Sequence, residues 1–480
     1  MMTESRWPSI IQGGMGVAVS TWPLARAVSR AGHLGVVSGT GIDTVLVRRL
    51  QDGDADGQMR RALAAAPWPD LVQSVLSRFF RPEGRRPGQA YVSLPKWSLD
   101  TSRSRTSLGV LGGFVEVWLA KVGHPGLVGL NLMTKLALPN LAVLYGAMHA
   151  GVDVVLMGAG IPKEIPGALD TLAQHLPTRM RCDVVGIPSA EFPWIEFEPR
   201  DFDSEVSAPL HRPAFFPIIA SHSLATMLSR KANGSIEGFV VEGPTAGGHN
   251  APPRGPKQFD AEGQPIYGPR DEVDLEALAD LGYPFWLAGG MGSPTGLQYA
   301  QEHHATGIQV GTLFAFCRES GLAPTLKQSV IDAVRDQCVT VFTDPLGSPT
   351  GFPFKVASVP DTLSDPQRYR SRVRVCDVGY LREAYRDAKG RFQFRCAAEP
   401  VAAYMRKGGT VEETEGRKCL CNGLMAAAGF PQVSGDTEEA AIVTSGDGLD
   451  ALRPLLSEGH EQYTAQEVLD YLTHTTLQQA

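Results

Sequence analysis

The residue of this sequence best placed to move a proton is a histidine set directly behind a glycine-rich strand end. In Gly238-Phe-Val-Val-Glu-Gly-Pro-Thr-Ala-Gly-Gly-His249, an apolar run of strand length passes into a loop that closes on the histidine. Gly247 and Gly248 let the backbone approach a ligand, and an imidazole titrates near neutral pH, so His249 is the candidate for proton transfer to or from a small substrate. The plain structural alternative is a loop histidine bonded to backbone. His222 ends another apolar run and is the weaker candidate, as a histidine on a strand rim is often structural. The adjacent His303 and His304 fall on a helical pattern and are expected at the surface.

A second kind of chemistry lies in Pro284-Phe-Trp-Leu-Ala-Gly-Gly-Met-Gly-Ser-Pro-Thr-Gly-Leu297 and Gly307-Ile-Gln-Val-Gly-Thr312. Two consecutive strand ends offer bare N–H groups side by side, with a helix opening behind the first. Such a pair commonly cradles phosphate in parallel α/β barrels, which puts a phosphate-bearing ligand near residues 289–312, where Gly289, Gly290, Gly311 and Thr312 end the two runs. The same strand-to-glycine grammar opens the chain at Gln12, Gly13, Gly14 and Met15. Gln12, Asn131 and Gln309 are amides inside apolar runs, where an unpaired polar group costs roughly 1–3 kcal/mol. Three amides near strand ends could read the edge of a flat heteroaromatic ring, or could each bond to neighbouring backbone. Flavin mononucleotide (FMN), a ring with one phosphate, fits the first description.

The elements that must carry these residues repeat as strand, glycine, helix. Near-continuous apolar runs indicate parallel strands covered on both faces. They fall at 9–14, 34–39, 127–132, 152–158, 216–221, 238–243, 284–289 and 307–311. Eight such staves predict an α/β fold, a (β/α)8 barrel over residues 1–338; a doubly wound open sheet is the alternative. Insertions are expected at about 42–90, with helices near 43–50 and 63–80, and at about 182–212, with a hairpin over 182–200. The Pro- and Gly-rich loop 250–270 is expected across a barrel mouth. Residues 339–480 are expected to form a mainly helical cap or extension, with helices at 380–388, 400–405, 424–427 and 465–473, packed on the barrel or on a second copy as a homodimer.

Composition narrows the class. The 480 residues carry a net charge of −7 and no basic run that would mark nucleic acid or a membrane as partner. No stretch approaches the roughly 20 apolar residues of a membrane span, and the N-terminus lacks a signal-peptide core, so a cytoplasmic protein is expected. Seven cysteines without a framework fit a reducing compartment. Cys396, Cys419 and Cys421 lack a paired zinc-ligand spacing, so no metal site is expected, and these thiols are read as buried in the cap. Nucleophile-elbow, P-loop and dinucleotide-fold signatures are absent from the sequence.

Five pieces in order, Ile10-Ile-Gln-Gly-Gly-Met-Gly16, Gly129-Leu-Asn-Leu132, Glu242-Gly-Pro-Thr-Ala-Gly-Gly-His249, Leu287-Ala-Gly-Gly-Met-Gly292 and Gly307-Ile-Gln-Val-Gly-Thr312, resemble the nitronate monooxygenase (2-nitropropane dioxygenase) family of FMN-dependent barrels, which includes FMN-type enoyl reductases. The resemblance implies that Gly13, Gly14 and Met15 line the flavin, that Asn131 contacts its ring or ribityl chain, that Gly290, Gly311 and Thr312 hold the phosphate, and that His249 is catalytic. It further implies oxidation of a small alkyl nitronate through the flavin, with O2 as second substrate and His249 as base or hydrogen-bond donor. The insertions and long tail depart from the short members. Longer relatives imply a second activity, reduction of a carrier-bound enoyl thioester with NAD(P)H as reductant and an acyl carrier protein as partner. A non-catalytic flavin-binding or docking component is the third reading.

Overall fold

The computed structural model describes residues 7–202, 208–456 and 462–473. Eight parallel strands close into a barrel, in the chain order of the expected staves: Ile10–Gln12, Leu34–Ser38, Val128–Met133, Val154–Gly158, Ala214–Ile219, Phe239–Glu242, Phe285–Ala288 and Gly307–Val310. The first and last pair in register, Ile10 opposite Ile308 and Gln12 opposite Val310, so no sheet edge remains and the open-sheet alternative is excluded. Side chains alternate between the two faces of each stave. Ile11, Val36, Leu156, Phe216, Val240 and Trp286 point inward and fill the lumen, with Phe216 stacked on Trp286 at 4.9 Å. The alternate residues meet the surrounding helices in a second, larger core.

The insertion after the second stave holds helices Ile42–Gln51, Gln58–Ala64 and Pro69–Phe79. The single helix expected at 63–80 is broken because Pro69 opens a new helix behind Trp68. No element was expected between 91 and 126, yet helix Arg103–Lys121 runs there, with fourteen of its nineteen residues buried. Its Gly113 packs where a Cβ would overlap Val143 O, and Gly146 of the facing helix Ala137–His149 packs where a Cβ would overlap Val110 O. Glycine is what brings these two backbones together.

The second insertion contains the expected hairpin, beginning earlier: Thr178–Arg181 pairs antiparallel with Trp194–Phe197. Residues 203–207 of that insertion lie outside the described residues. The tail carries the expected helices at Val401–Arg406, Leu420–Ala427 and Ala465–Thr473. Residues 380–388, expected as helix, include a strand instead: Glu383–Arg386 pairs antiparallel with Phe392–Arg395 and parallel with Val184–Val185. Two further hairpins, Val341–Asp344 with Phe354–Ala357 and Val433–Ser434 with Thr437–Glu438, add strands the sequence reading did not contain. Among the described residues no helix is long and apolar enough to cross a membrane.

Tail and barrel are joined through the buried carboxylate of Asp43. It accepts from Trp97 Nε1 at 3.0 Å, from Arg105 Nη1 and from Tyr380 OH, and Tyr380 OH also meets Thr44 Oγ1 at 2.8 Å. Asp43 and Arg105 side chains are only 1% and 2% exposed, so removing one charge strands the other. Asp43→Ala is expected to cost about 3–5 kcal/mol, and Tyr380→Phe about 1 kcal/mol. Urea-unfolding midpoints check both, and equal losses would show that the ion pair is not what holds this junction.

Candidate functional site

The C-terminal ends of the staves open into a cavity of about 280 Å³, close to the roughly 300–1,000 Å³ of small-molecule sites. Twelve of the thirteen residues expected at the site line it: Gly13, Gly14, Met15, Asn131, Gly247, Gly248, His249, Gly289, Gly290, Gln309, Gly311 and Thr312. Gln12 does not. It shares the outward parity of Ile10, and its amide is spent inside the wall, donating to Ser20 Oγ at 2.9 Å and to Gly13 O and accepting from Val36 N–H at 3.0 Å. Ser20 in turn accepts from Met15 N–H at 2.9 Å and fixes the first glycine loop. Gln12 is therefore a support beneath the site rather than a ligand contact.

The glycines are required by space and by conformation. A Cβ on Gly14 would overlap Asn131, whose Nδ2 donates to Gly14 O at 3.3 Å. Gly289 and Gly290 take φ of +88° and +70°, a backbone turn that L side chains rarely adopt. Among the described residues, the N–H groups of residues 289–292 find no acceptor within the chain, and no lysine or arginine lines the cavity. Helix Pro294–Glu302 begins immediately behind, capped by Ser293 Oγ accepting from Gly296 N–H at 2.9 Å.

His249 sits at the cavity wall, gripped by the tail. Lys355 N–H donates to Gly248 O at 2.9 Å, Asn250 N–H donates to Pro353 O at 3.0 Å, and the ring packs edge-on against Phe354 at 4.8 Å. Nε2 is 2.7 Å from Ser348 Oγ, which is 2.8 Å from Thr350 Oγ1. Burial pulls the imidazole pKa down to about 4, so the ring is neutral at pH 7. Part of the residue still reaches the cavity, although its surroundings are dense protein.

Glu242, last residue of the sixth stave, lines the same cavity, and burial alone pushes its pKa up to about 8. The cavity is thus lined by both a neutral carboxylic acid and a neutral imidazole, an acid and a potential base uncharged at pH 7. The sequence reading passed over Glu242, although it opens the quoted histidine stretch, because the burial that shifts it is a property of the folded cavity and not of its neighbours in sequence. Tail residues Phe354, Tyr380, Leu381, Leu420, Leu424 and Ser445 also line the cavity, and nothing in their spacing marks them.

Of the other candidates, Cys421 lines the cavity, and the three histidines lie apart. His222 is the first residue of helix His222–Lys231, and His303 and His304 end helix Pro294–Glu302; none of the three lines the cavity. Cys396, Cys419 and Cys421 are free, buried thiols as expected, and burial raises the pKa of each.

No protein-family profile and no curated protein matches the chain. Among solved structures it is similar to FabK from Thermotoga maritima, at 17% identity over 97% of this chain and 91% of that one, with a TM-score of 0.46. It is also similar to a nitroalkane oxidase from Streptomyces ansochromogenes, at 14% identity over 97% and 94%, with a TM-score of 0.48. A third is the enoyl reductase domain of MlnA from the macrolactin biosynthesis cluster of Bacillus amyloliquefaciens, at 12% identity over 97% and 94%, with a TM-score of 0.44.

The two shifted groups oppose each other in pH. The folded His249 pKa lies below its ordinary 6.5, so its contribution to stability is full above pH 6.5 and lost as pH falls through about 4. The folded Glu242 pKa lies above its ordinary 4.5, so its contribution is full below pH 4.5 and lost as pH rises through about 8. Relative to wild type, Glu242→Gln is expected to gain melting temperature as pH rises from 4.5 to 8 and to level off above. A difference that stays flat across that range would show Glu242 to be solvated.

Proposed function

We propose that this chain is an FMN-dependent oxidoreductase. The observation that carries the reading is Gln309: it lines the cavity between the glycine loops, yet its Oε1 is buried without a hydrogen-bond partner. A buried acceptor left unmatched costs free energy that a ligand N–H would recover. The fit extends to the rest of the group. The unpaired N–H groups of residues 289–292 suit a phosphate, and Asn131 faces the first glycine loop across the cavity from Gln309's stave. When bound, FMN would supply a two-electron acceptor or donor beside the substrate.

The chain's own residues then bind, orient and handle protons. Gly289, Gly290, Gly311 and Thr312 hold the phosphate, and Gly13, Gly14, Met15, Asn131 and Gln309 orient the ring. His249, neutral and fixed through Nε2 to Ser348, leaves Nδ1 to exchange a proton with substrate, or to hold a substrate oxygen, according to tautomer. Glu242 donates a hydrogen bond as a neutral acid. The tail closes the mouth and keeps water from the reacting atoms.

The substrate of the first reading is a small nitronate, oxidised with O2 as co-substrate; the motif resemblance around His249 supports it. A second reading, reduction of an enoyl thioester with NAD(P)H and an acyl carrier protein as partner, is favoured by the lining itself. Among the described residues no lysine or arginine lines the cavity, and Leu381, Leu420 and Leu424 make one side apolar, a wall better matched to a neutral acyl chain than to an anion.

Protein supplied with FMN is expected to show flavin absorbance bands after gel filtration; their absence would end both enzymatic readings. Anaerobic bleaching by a nitronate without NAD(P)H selects the oxygenase, and bleaching by NADPH or NADH selects the reductase. His249→Ala is expected to retain FMN while kcat falls roughly 10²–10⁴-fold. In wild type, kcat/KM should hold a plateau from about pH 4 to about pH 8, the span where both groups are neutral. Glu242→Gln should remove the upper limb, and an unchanged profile would take Glu242 out of the chemistry.

A further inference from the structure

A strap from the tail, residues 444–448, crosses the barrel mouth at the end where the glycine loops meet. Gly446 N–H donates to Thr312 Oγ1 at 3.1 Å, Gly248 N–H donates to Thr444 Oγ1 at 2.9 Å, and Asp447 N–H donates to Thr245 O at 3.1 Å. The strap thereby bonds to the loops after the sixth and eighth staves. It reaches the seventh through Thr245, since a Cβ on Gly289 or Gly290 would lie 3.0 or 3.3 Å from Thr245 Oγ1. From behind, the buried Lys355 binds Asp447 Oδ1 at 2.7 Å and Thr343 Oγ1 at 2.7 Å.

The fit leaves no slack. A Cβ on Gly446 would stand 2.9 Å from Thr245 O and 3.0 Å from Thr312 Oγ1, and a Cβ on Gly247 would stand 2.8 Å from Gly446 N. Ser445, 4% exposed, and Gly446 both line the cavity.

The hydroxyl of Thr312 is the point of the arrangement. A hydroxyl has one proton to give and two lone pairs to offer. Gly446 N–H occupies a lone pair, so the Thr312 proton is left for an acceptor in the cavity. Among the described residues, the neighbouring N–H groups of residues 289–292 also find no acceptor within the chain, and no lysine or arginine lines the cavity to share the work. Donors without cations suit phosphate oxygens, which gain from several aligned N–H and O–H groups at once.

We propose that residues 444–448 form one wall of the subsite for the cofactor phosphate, fixing the Thr312 hydroxyl as a donor and holding the phosphate in, so that the C-terminal extension sets how tightly and how long FMN is retained. This rests on the FMN reading above. It assigns to the tail a binding role that the barrel motifs alone do not carry.

The test uses the full-length protein freed of flavin and titrated with FMN and, separately, with riboflavin, which lacks the phosphate. Flavin fluorescence gives affinity, and dilution into excess free apoflavodoxin-type scavenger gives release. Gly446→Ala and Thr312→Val are expected to weaken FMN about tenfold or more, the scale of one lost charge-assisted hydrogen bond, and to speed its release. Asp447→Asn, which loosens the strap without entering the cavity, should act in the same direction with a smaller effect. Riboflavin affinity should stay within about twofold of wild type in all three.

If FMN binds the three variants as it binds wild type, or if FMN and riboflavin weaken equally, the proposal is overturned while the FMN reading stands. A wild-type protein that binds neither flavin overturns both. Should Gly446→Ala fail to fold by circular dichroism, Thr312→Val and Asp447→Asn decide the matter.

Discussion

A carboxylate with almost no access to water must find its hydrogen bonds in protein, and Asp43 finds them in three separated parts of the chain. Trp97 comes from the first insertion, Arg105 from the long helix behind it, and Tyr380 from the tail. Each partner is needed by the others, because an Arg105 left alone in that interior would be an unpaired buried charge. The geometry this forces has a direct effect on the site. Tyr380 and its neighbour Leu381 are drawn against the barrel mouth and become part of the cavity wall. The tail that lines the cavity with Tyr380 and Leu381 is thus anchored rather than merely adjacent.

The barrel was legible because its code is local. Each stave is an apolar run that ends in glycine, and all eight fall in the expected order. The glycine loops and His249 could be placed at one barrel mouth for the same reason, since each follows the end of a stave, and they do line one cavity. Gln12 shows the limit of that code. It reads like Gln309, an amide at a strand end, but one position of parity turns it into the wall, where Ser20 and Val36 consume its bonding capacity.

What escaped the sequence was whatever depends on distant chain segments. Helix Arg103–Lys121 has no polar face to give it a period, and its glycines look like breakers, although they are contact points with helix Ala137–His149. The strand Glu383–Arg386 exists because Val184–Val185 and Phe392–Arg395 offer it ladders, a circumstance invisible in its own residues. Glu242 is an ordinary acid by sequence, and only its burial in the folded cavity raises its pKa. Ser348, the neighbour of His249 Nε2, lies 99 positions further along the chain.

The strap also imposes an order on synthesis. Helix Thr312–Ala315 completes the barrel's share of the cavity, while Ser445 and Gly446 emerge from the ribosome 130 and 131 residues later. At roughly 5–20 residues per second, the strap follows the finished barrel by about 6–26 seconds, after the other tail residues of the cavity wall from Phe354 to Leu424. During that interval a phosphate-bearing ligand can enter from solvent without displacing anything. Once residues 444–448 settle between Thr245, Gly248 and Thr312, the same ligand is inside a closed wall, so loading on the ribosome and exchange in the finished protein are different kinetic events.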